Sequence, residues 1–283
     1  MSFELPLTLI NEANTWQHIQ NSGYLIEKAM EMAAPERIAV LGCGRCREIP
    51  LPLLMRRCNR IYLVDTDLSA LRDVESKFSC DPPRLEFFAE DLTGLIPYVE
   101  AKAPEITRES RNPEECLAAL GELLLEAKPR FLAFPKKFDL VICSAMLSQL
   151  QAKIKRATLE TFPQKFGPGY PGINTNKKWM KDLWNFARRL EHAFINHLDS
   201  LVNPGGVIYL SATVKVCWVK EEQEGKRYTT EGSWITLESG QLPNYLSVDH
   251  KIERTVNWPW ARKEGENEYW GRLYEIQAVI YRV

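Results

Sequence analysis

The sequence predicts an α/β protein with a doubly wound, seven-stranded sheet that is mostly parallel and has an antiparallel last strand. Short runs of β-branched and aliphatic residues alternate three times with amphipathic segments between residues 37 and 91. A turn with two glycines follows the first run, and acidic residues follow the second and third runs. This alternation favours parallel strands joined by right-handed crossovers, so ligands are expected at the carboxyl ends of the strands.

The elements of the first half follow from local patterns. An apolar stripe that includes Trp16, Tyr24 and Leu25 predicts a helix before the first strand, and Pro35 ends it. Aliphatic runs predict buried strands, and the segments between them have apolar residues in phase on one helical face. The expected elements are a helix over residues 14–32, a strand over 38–41, a helix over 48–58, a strand over 60–64, a helix over 68–78 and a strand over 84–88.

The second half contains a clear helix start, further strands and two irregular segments. Asn112, followed by Pro113 and two acids, predicts a helix that ends before Pro129. Residues 151–181 are basic and contain a glycine- and proline-rich stretch that only a loop accommodates. The other expected elements are strands over 138–143 and 207–213, a helix over 181–202, a polar turn at 221–225, a strand over 251–258, a turn at 265–267 and an antiparallel edge strand over 272–283.

We interpret residues 1–283 as a single domain, because no internal repeat or low-complexity segment divides them. Residues 1–35 form a helical cap in this interpretation, which either covers the sheet or closes over the cofactor, with Asn21-Ser22-Gly23-Tyr24 near the ligand. Residues 151–181 and 226–260 are insertions that we expect to form a lid over a substrate, because long irregular segments in compact domains frequently bind ligands. For the basic segment a solvated loop is the alternative.

Composition argues against several classes of protein. A hydrophobic fraction of 45% with 26% charged residues is typical of a globular protein. Lys and Arg number 36 against 37 Asp and Glu, which argues against nucleic-acid binding as the main role. The seven cysteines are an odd number, and several lie in apolar runs, which indicates a reducing compartment. Neither a signal-peptide pattern nor an apolar run of membrane length is found, so we expect a cytoplasmic protein with no membrane partner.

The turn Gly42-Cys43-Gly44 carries the strongest chemical signal in the chain. Glycine allows the backbone to bend sharply and to approach a ligand closely, and the helix that follows presents free N–H groups to an anion. Asp65 ends the second strand, 21 residues after Gly44. A carboxylate at that place can accept hydrogen bonds from the hydroxyl groups of a ribose, so the pattern predicts a nucleotide-type ligand.

Polar residues also follow the third and fourth strands. Asp91 can accept a hydrogen bond from the amino group of an adenine, and Ser144 is expected beside the reacting end of the ligand. Acids at strand ends also cap the helices that follow them. Between these two roles we favour ligand binding for Asp65 and helix capping for Asp67.

Other site types are less consistent with the sequence. A dinucleotide pattern requires a third glycine where Arg47 stands, which disfavours NAD and FAD. Cys43 and Cys46 form a C-x-x-C pair, but no second pair or Cys/His cluster accompanies it, so no metal is expected. The histidines are expected at surface or edge positions rather than in catalysis: His18, His192, His197 and His250.

The chain resembles the class I S-adenosylmethionine-dependent methyltransferases over residues 36–214. Single motifs are weak, whereas their order and spacing together are specific for this superfamily. The resemblance implies a Rossmann-like fold and S-adenosyl-L-methionine as the cofactor. The motifs are the glycine turn at 40–44, Asp65 in Leu63-Val-Asp-Thr, Asp91 in Ala89-Glu-Asp-Leu, and the strand from Phe138 to Ser144 with the later turn Asn203-Pro-Gly-Gly206.

The resemblance also implies where the cofactor binds. Its methionyl part is expected against the glycine turn, its ribose at the second acid, its adenine near the third strand, and its methyl end near the fourth. The implied cofactor-binding residues are Gly42, Cys43, Gly44, Asp65, Thr66, Asp91, Leu92 and Ser144. Two positions depart from the family pattern, because Val40 replaces an acid and Cys46 replaces a third glycine. The ammonium group of the cofactor therefore needs a different partner.

The expected function is methyl transfer to a small molecule or peptide, which can proceed by positioning without an obligatory catalytic residue. The first alternative is a protein that binds S-adenosylmethionine or S-adenosylhomocysteine without turnover, which the two departures motivate. An RNA methyltransferase that uses the basic segment and an NAD(P)-dependent oxidoreductase are further alternatives. The motif of DNA amino methylation, Asn or Asp before Pro-Pro-aromatic, is replaced by Ser144-Ala-Met-Leu, so no DNA partner is expected.

Overall fold

The computed structural model describes residues 12–78, 84–221, 228–235, 241–246, 249–263 and 270–283. Backbone packing divides the chain into two compact units. The sheet unit comprises Met1–Ala89, Pro135–Met146 and Leu198–Val283, and the helical unit comprises Glu90–Phe134 and Leu147–His197. The predicted turn at 265–267 and nearly all of the turn at 221–225 lie outside the described residues.

The sheet unit contains all the strands that the structure describes, together with the first three helices. Its elements are α1 (Glu12–Ala33), β1 (Arg37–Leu41), α2 (Leu51–Arg57), β2 (Arg60–Asp65), α3 (Leu68–Lys77), β3 (Leu85–Ala89), β4 (Phe138–Cys143), β5 (Val202–Glu221), β6 (Tyr228–Ile235), a short 3₁₀ helix (Leu242–Tyr245), β7 (Lys251–Lys263) and β8 (Trp270–Arg282).

The strands form one sheet in the order β3-β2-β1-β4-β5-β8-β7, and β6 pairs with β5 outside this path. Neighbours from β3 to β5 are parallel, whereas β8 is antiparallel to β5 and to β7. The predicted α/β class, with a mostly parallel sheet and an antiparallel last strand, is therefore confirmed. The predicted edge position of the last strand is wrong, because β8 lies between β5 and β7.

Burial explains why β8 lies inside the sheet and β7 at its edge. Residues 276–281 of β8 are all buried, as expected for a strand that is covered on both faces and flanked on both sides. Most described side chains of β7 are exposed or half-buried, and Pro259 lies within it. Proline has no N–H to donate to a further strand, so it is typical of an edge. Pro259 is the sequence signal that identifies the edge strand.

Helix α1 packs against β4, β5 and β7. Its buried face matches the predicted stripe only in part, because Leu25 is buried whereas Trp16 and Tyr24 are 61% and 50% exposed. The residues on the buried face are His18, Ser22, Leu25, Ile26, Ala29 and Met30. These positions recur at helical spacing, but the first two are polar, so a search for apolar residues alone misses this face.

The segment between β1 and α2 is longer than predicted. Helix α2 begins at Leu51, with Pro50 as its N-cap residue and Pro52 in its first turn. The expected start at Glu48 is therefore wrong, and Glu48 lies in the loop that carries the glycine turn. Strand β5 is also longer than predicted and includes the expected turn at 203–206, where the pairing with β4 shifts its register.

The helical unit contains helices that the sequence analysis does not predict, and α4 is the first of them. Helix α4 has Pro104 in its interior, a residue that normally argues against a helix. The predicted start of α5 is confirmed, because the Asn112 side chain accepts a hydrogen bond from the N–H of Glu115. The helices are α4 (Ile96–Glu109), α5 (Pro113–Glu126), α6 (Leu147–Thr158), α7 (Phe162–Phe166), α8 (Gly172–Thr175) and α9 (Lys177–Leu201), whose last residues, from Leu198, belong to the sheet unit.

The basic segment 151–181 is largely helical, so the prediction of a long loop is wrong. Two of its lysines have partners within the helical unit. Lys165 donates to carbonyl oxygens at the C-terminal end of α4, and Lys178 pairs with Glu122 and Asp182. These contacts favour a structural role for both lysines, and the lid role of the segment stays a prediction.

Within the described ranges, no helix has the length and apolar character to cross a membrane.

Candidate functional site

The glycine turn follows β1, on the side of the sheet where the parallel strands have their carboxyl ends. Gly42 and Gly44 both have positive φ angles, of 65° and 49°, which glycine adopts without the steric penalty of a side chain. A Cβ on Gly42 would lie 2.2 Å from the Met146 sulfur, whereas a Cβ on Gly44 would meet nothing within 4 Å. The two glycines therefore differ, since Gly42 makes room for Met146 and Gly44 borders open space.

Cys46 occupies the position of the third glycine of the family pattern. Its φ angle is 53°, so the backbone there has the left-handed conformation that favours glycine, although a side chain is present. Cys43 and Cys46 are both buried. A hydrogen bond with Cys46 and burial together raise the pKa of the Cys43 thiol. A thiol with a raised pKa is a poor nucleophile, which argues against a redox role for this pair.

Asp65 ends β2, and the surrounding backbone holds its carboxylate in place. One oxygen accepts a hydrogen bond from the N–H of Gly44 at 2.8 Å, and the other accepts from the N–H of Asp67 at 2.9 Å. Each carboxylate oxygen can accept further hydrogen bonds. Asp65 is only 7% exposed, and the adjacent Thr66 is exposed. The preference for Asp67 as a helix cap is confirmed, because its side chain accepts from the N–H of Ala70.

Ser144 lies at the end of β4 and links two other elements. Its hydroxyl donates to Glu48 at 2.9 Å and lies 3.2 Å from the hydroxyl of Ser211 on β5. Because the Ser144 proton is used on Glu48, the Ser211 hydroxyl donates to Ser144. Ser211 also accepts from the N–H of Ala145, a residue with a φ angle of 51°. Ser144 therefore orients Glu48 within the site.

His18 contacts Glu48 from helix α1. The indole N–H of Trp258 donates to His18 Nδ1 at 2.8 Å, so Nδ1 has no proton and the neutral ring carries its proton on Nε2. His18 Nε2 lies 3.1 Å from a Glu48 carboxylate oxygen. The Trp260 ring stacks on the imidazole with a centroid distance of 4.4 Å. The expected surface or edge position of His18 is therefore wrong, because this residue is 1% exposed.

The environment of Glu48 favours its ionised form. Burial acts to raise the pKa of this carboxyl group, but the contacts with His18 and Ser144 outweigh burial and lower the pKa below its ordinary value. The Glu48 side chain remains 23% exposed. Glu48 is therefore a partly exposed carboxylate with a fixed orientation.

Several buried polar atoms on α1, β5 and β7 have no aligned hydrogen-bond partner among the described residues. They include the hydroxyl groups of Ser22 and Tyr209 and the indole nitrogen of Trp260. Ser22 and Tyr209 are both fully buried. Burial raises the pKa of Tyr209 to about 12, and Ser211, Ser22, Ser144 and Glu48 all act on this hydroxyl. Unpaired buried hydroxyls are costly, so they indicate a place where a ligand or water binds.

Asp91 and Leu92 belong to the helical unit. The Asp91 carboxylate accepts hydrogen bonds from the N–H and hydroxyl of Thr93 and from the N–H of Ile96 at 2.8–2.9 Å. It therefore holds the turn before α4. Leu92 is buried. The structure brings Gly42, Cys43, Gly44, Asp65, Thr66 and Ser144 together in the sheet unit.

Sequence reasoning missed Glu48, Ser211 and Tyr209, and it placed His18 wrongly. Spacing on α1 provides one signal, because His18 and Ser22 are four residues apart and share a face with Leu25 and Ala29. No spacing rule connects Glu48 with strands β4 and β5. In the described part of the chain, no group of three or more His, Cys, Asp or Glu side chains could hold a metal ion.

Comparison with known proteins gives structural but no sequence matches. No protein-family model matches the chain, and no curated protein matches its sequence. The N-methyltransferase NodS of Bradyrhizobium japonicum, in complex with S-adenosyl-L-homocysteine, has a TM-score of 0.42 and 10% identity over 93% of this chain and 85% of its own. An S-adenosylmethionine-dependent methyltransferase of Clostridium acetobutylicum has a TM-score of 0.41 and 13% identity over 96% and 99% of the two chains.

The strand order, the parallel register from β3 to β5 and the antiparallel β8 define the fold. It is the Rossmann-like α/β fold that the sequence resemblance implies.

Proposed function

We propose that this protein transfers the methyl group of S-adenosyl-L-methionine to a small molecule or peptide in the cytoplasm. The observation that carries the proposal is the arrangement at Asp65. Its carboxylate is held by the N–H groups of Gly44 and Asp67, beside the open space at Gly44. A fixed carboxylate at the carboxyl end of the second parallel strand suits the two hydroxyl groups of a ribose.

The residues of the sheet unit fit the parts of this cofactor. We assign Gly42, Cys43 and Gly44 to its methionyl part, and Asp65 and Thr66 to its ribose. Ser144 is assigned to the reacting end. When bound, the cofactor would supply a methyl group on a positively charged sulfur; transfer of that group to a nucleophile of the acceptor would leave S-adenosylhomocysteine. The chain's task is to hold the acceptor in line with the methyl carbon and to exclude water, and such positioning provides much of the rate enhancement.

The family resemblance adds Asp91 and Leu92 as residues for the adenine. The hydrogen bonds that Asp91 already makes leave part of its acceptor capacity free. The test of the proposed function substitutes Asp65 and does not depend on Asp91 or Leu92.

The test is calorimetric titration of S-adenosylhomocysteine into the wild type, Asp65→Asn and the matched control Asp67→Asn. The control changes an equally short acid two positions away, and asparagine caps helices as well as aspartate does. Charge-assisted hydrogen bonds contribute about 1.5–3 kcal/mol each, so Asp65→Asn is expected to weaken binding roughly 10- to 150-fold. The control is expected to bind like the wild type.

Two results would contradict this proposal. One is an unchanged affinity in Asp65→Asn. The other is a wild type that binds NAD(P)H but not S-adenosylhomocysteine. Transfer of a labelled methyl group to members of a metabolite and peptide panel then tests catalysis. Tight binding without transfer to any acceptor would favour the non-catalytic alternative, and salt-dependent RNA binding would favour an RNA acceptor.

A further inference from the structure

Glu48 is an anion whose orientation three elements determine. Ser144, directly after β4, donates to one of its oxygens at 2.9 Å, and His18 on α1 lies 3.1 Å from the other. Trp258 on β7 in turn fixes the His18 ring through a 2.8 Å hydrogen bond. The Glu48 side chain is nevertheless 23% exposed, and each carboxylate oxygen can accept more than one hydrogen bond. Fixing a charge in this way reduces the entropy that a bound partner must remove.

Two neighbouring hydroxyl groups lack aligned partners within the described residues. These are Ser22 on α1 and Tyr209 on β5, both fully buried. Ser22 lies one turn after His18 on α1, and Tyr209 shares a face of β5 with Ser211, whose hydroxyl lies 3.2 Å from Ser144. A hydroxyl oxygen has two lone pairs and can accept a hydrogen bond from a ligand.

The chemistry of this group selects its ligand. An anion would be repelled by the Glu48 carboxylate, and a neutral apolar group would leave the hydroxyls unpaired. A metal ion would need further ligands, and the described residues contain no cluster of three or more that could provide them. A cationic nitrogen satisfies all the groups, because it neutralises the carboxylate and donates its N–H bonds to the hydroxyl oxygens.

We propose that Glu48, together with the hydroxyl groups of Ser22 and Tyr209, is a receptor for a cationic nitrogen group, either a primary ammonium or a protonated amine. This inference rests on the proposed function and specifies a binding group within the same sheet unit. Two ligands could provide this nitrogen group. One is the cofactor, through the amino group of its methionyl part, and the other is a methyl acceptor that carries an amine. His18 and Trp258 are positioning residues in this receptor, because they contact Glu48 directly or through one another.

The first arm of the test compares S-adenosylhomocysteine with its analogue that lacks the α-amino group. Both are titrated calorimetrically into the wild type, Glu48→Gln and the control Glu75→Gln, which neutralises an exposed carboxylate on α3. If the cofactor is the source, the wild type and the control bind S-adenosylhomocysteine at least 10-fold more tightly than the analogue. Glu48→Gln then removes this difference and binds the analogue normally.

The second arm tests an acceptor amine. Benzylamine and cadaverine are titrated in the presence of saturating S-adenosylhomocysteine, with benzyl alcohol as the neutral match for benzylamine. If the acceptor is the source, the wild type prefers an amine over the alcohol, and Glu48→Gln loses this preference. Tyr209→Phe removes one hydroxyl with little change of volume, and it is expected to reduce affinity for the same amino ligand about 3- to 10-fold. Circular dichroism verifies that each variant is folded.

The outcomes separate the inference from the proposed function. A wild type that binds S-adenosylhomocysteine, with no effect of Glu48→Gln on either amino preference, overturns the receptor and leaves the proposed function intact. A wild type that does not bind S-adenosylhomocysteine contradicts the proposed function, and the inference then falls with it. Loss of amino preference in either arm supports the receptor and identifies the source of the nitrogen.

Discussion

Substituting alanine for each of the two glycines of the turn tests the structural difference between them. Gly42 and Gly44 both have the left-handed backbone conformation, which costs an alanine roughly 1–2 kcal/mol. At Gly42 the new Cβ would also lie 2.2 Å from the Met146 sulfur and 2.6 Å from its Cγ. Met146 is 7% exposed, so it cannot move into solvent without losing buried contacts.

The expected free-energy changes follow from these contacts. Forcing a methyl group into a packed region costs about 1–3 kcal/mol. Gly42→Ala should therefore lower the free energy of unfolding by about 2–5 kcal/mol, whereas Gly44→Ala should lower it by about 1–2 kcal/mol. Gly44→Ala is instead expected to weaken binding of S-adenosylhomocysteine, because its methyl group occupies the open space at the proposed site.

Urea unfolding followed by circular dichroism measures the first effect, and calorimetry measures the second. Met146→Ala provides the control, because it removes the atoms that the new Cβ would meet. The double variant Gly42→Ala/Met146→Ala should be more stable than the sum of the single effects by about 1–3 kcal/mol. Equal stabilities of the two glycine variants, or additive effects in the double variant, would refute this account of the turn.

Two further predictions concern Glu48 and His18. The pKa of Glu48 is lowered in the folded state, because its contacts with His18 and Ser144 outweigh the effect of burial. Glu48 therefore stabilises the folded state above its ordinary pKa of 4.5, and this stabilisation is lost as the pH falls through the folded-state pKa. The difference in urea midpoint between the wild type and Glu48→Gln should shrink below pH 4.5, and a difference that grows would contradict this. Nitrogen NMR of labelled histidine should show His18 as the neutral Nε2–H tautomer, and Trp258→Phe should populate other forms; an Nδ1–H signal in the wild type would contradict the assignment.

The first part of the fold is predictable because its signals are local. The short aliphatic runs of β1 and β2 are buried strands whichever way the rest of the chain packs. The helix cap at Asn112 is equally local, because its side chain needs only the N–H of Glu115, three residues later in the chain. Helix α4 is missed for a local reason too, since Pro104 masks a helix that tertiary packing stabilises.

The arrangement of the last strands depends on the whole sheet. The sequence predicts a strand for both β7 and β8. Their order in the sheet depends on which of the two can have a neighbouring strand on both sides. The buried residues 276–281 require neighbours, and Pro259 tolerates the lack of one. Position at the end of the chain gives no information on this choice.

The sequence by itself determines the glycine turn, Asp65 at the end of β2 and the parallel strands β1 to β3, because these features need only neighbouring residues and the regular geometry of parallel strands. It also shows that Val40 leaves the ammonium of the implied cofactor without an acid, but it does not provide a replacement. Only the tertiary structure brings Glu48 to Ser144 and His18. Long-range packing of α1 and β4 on the same sheet creates this group, and no spacing along the chain encodes it.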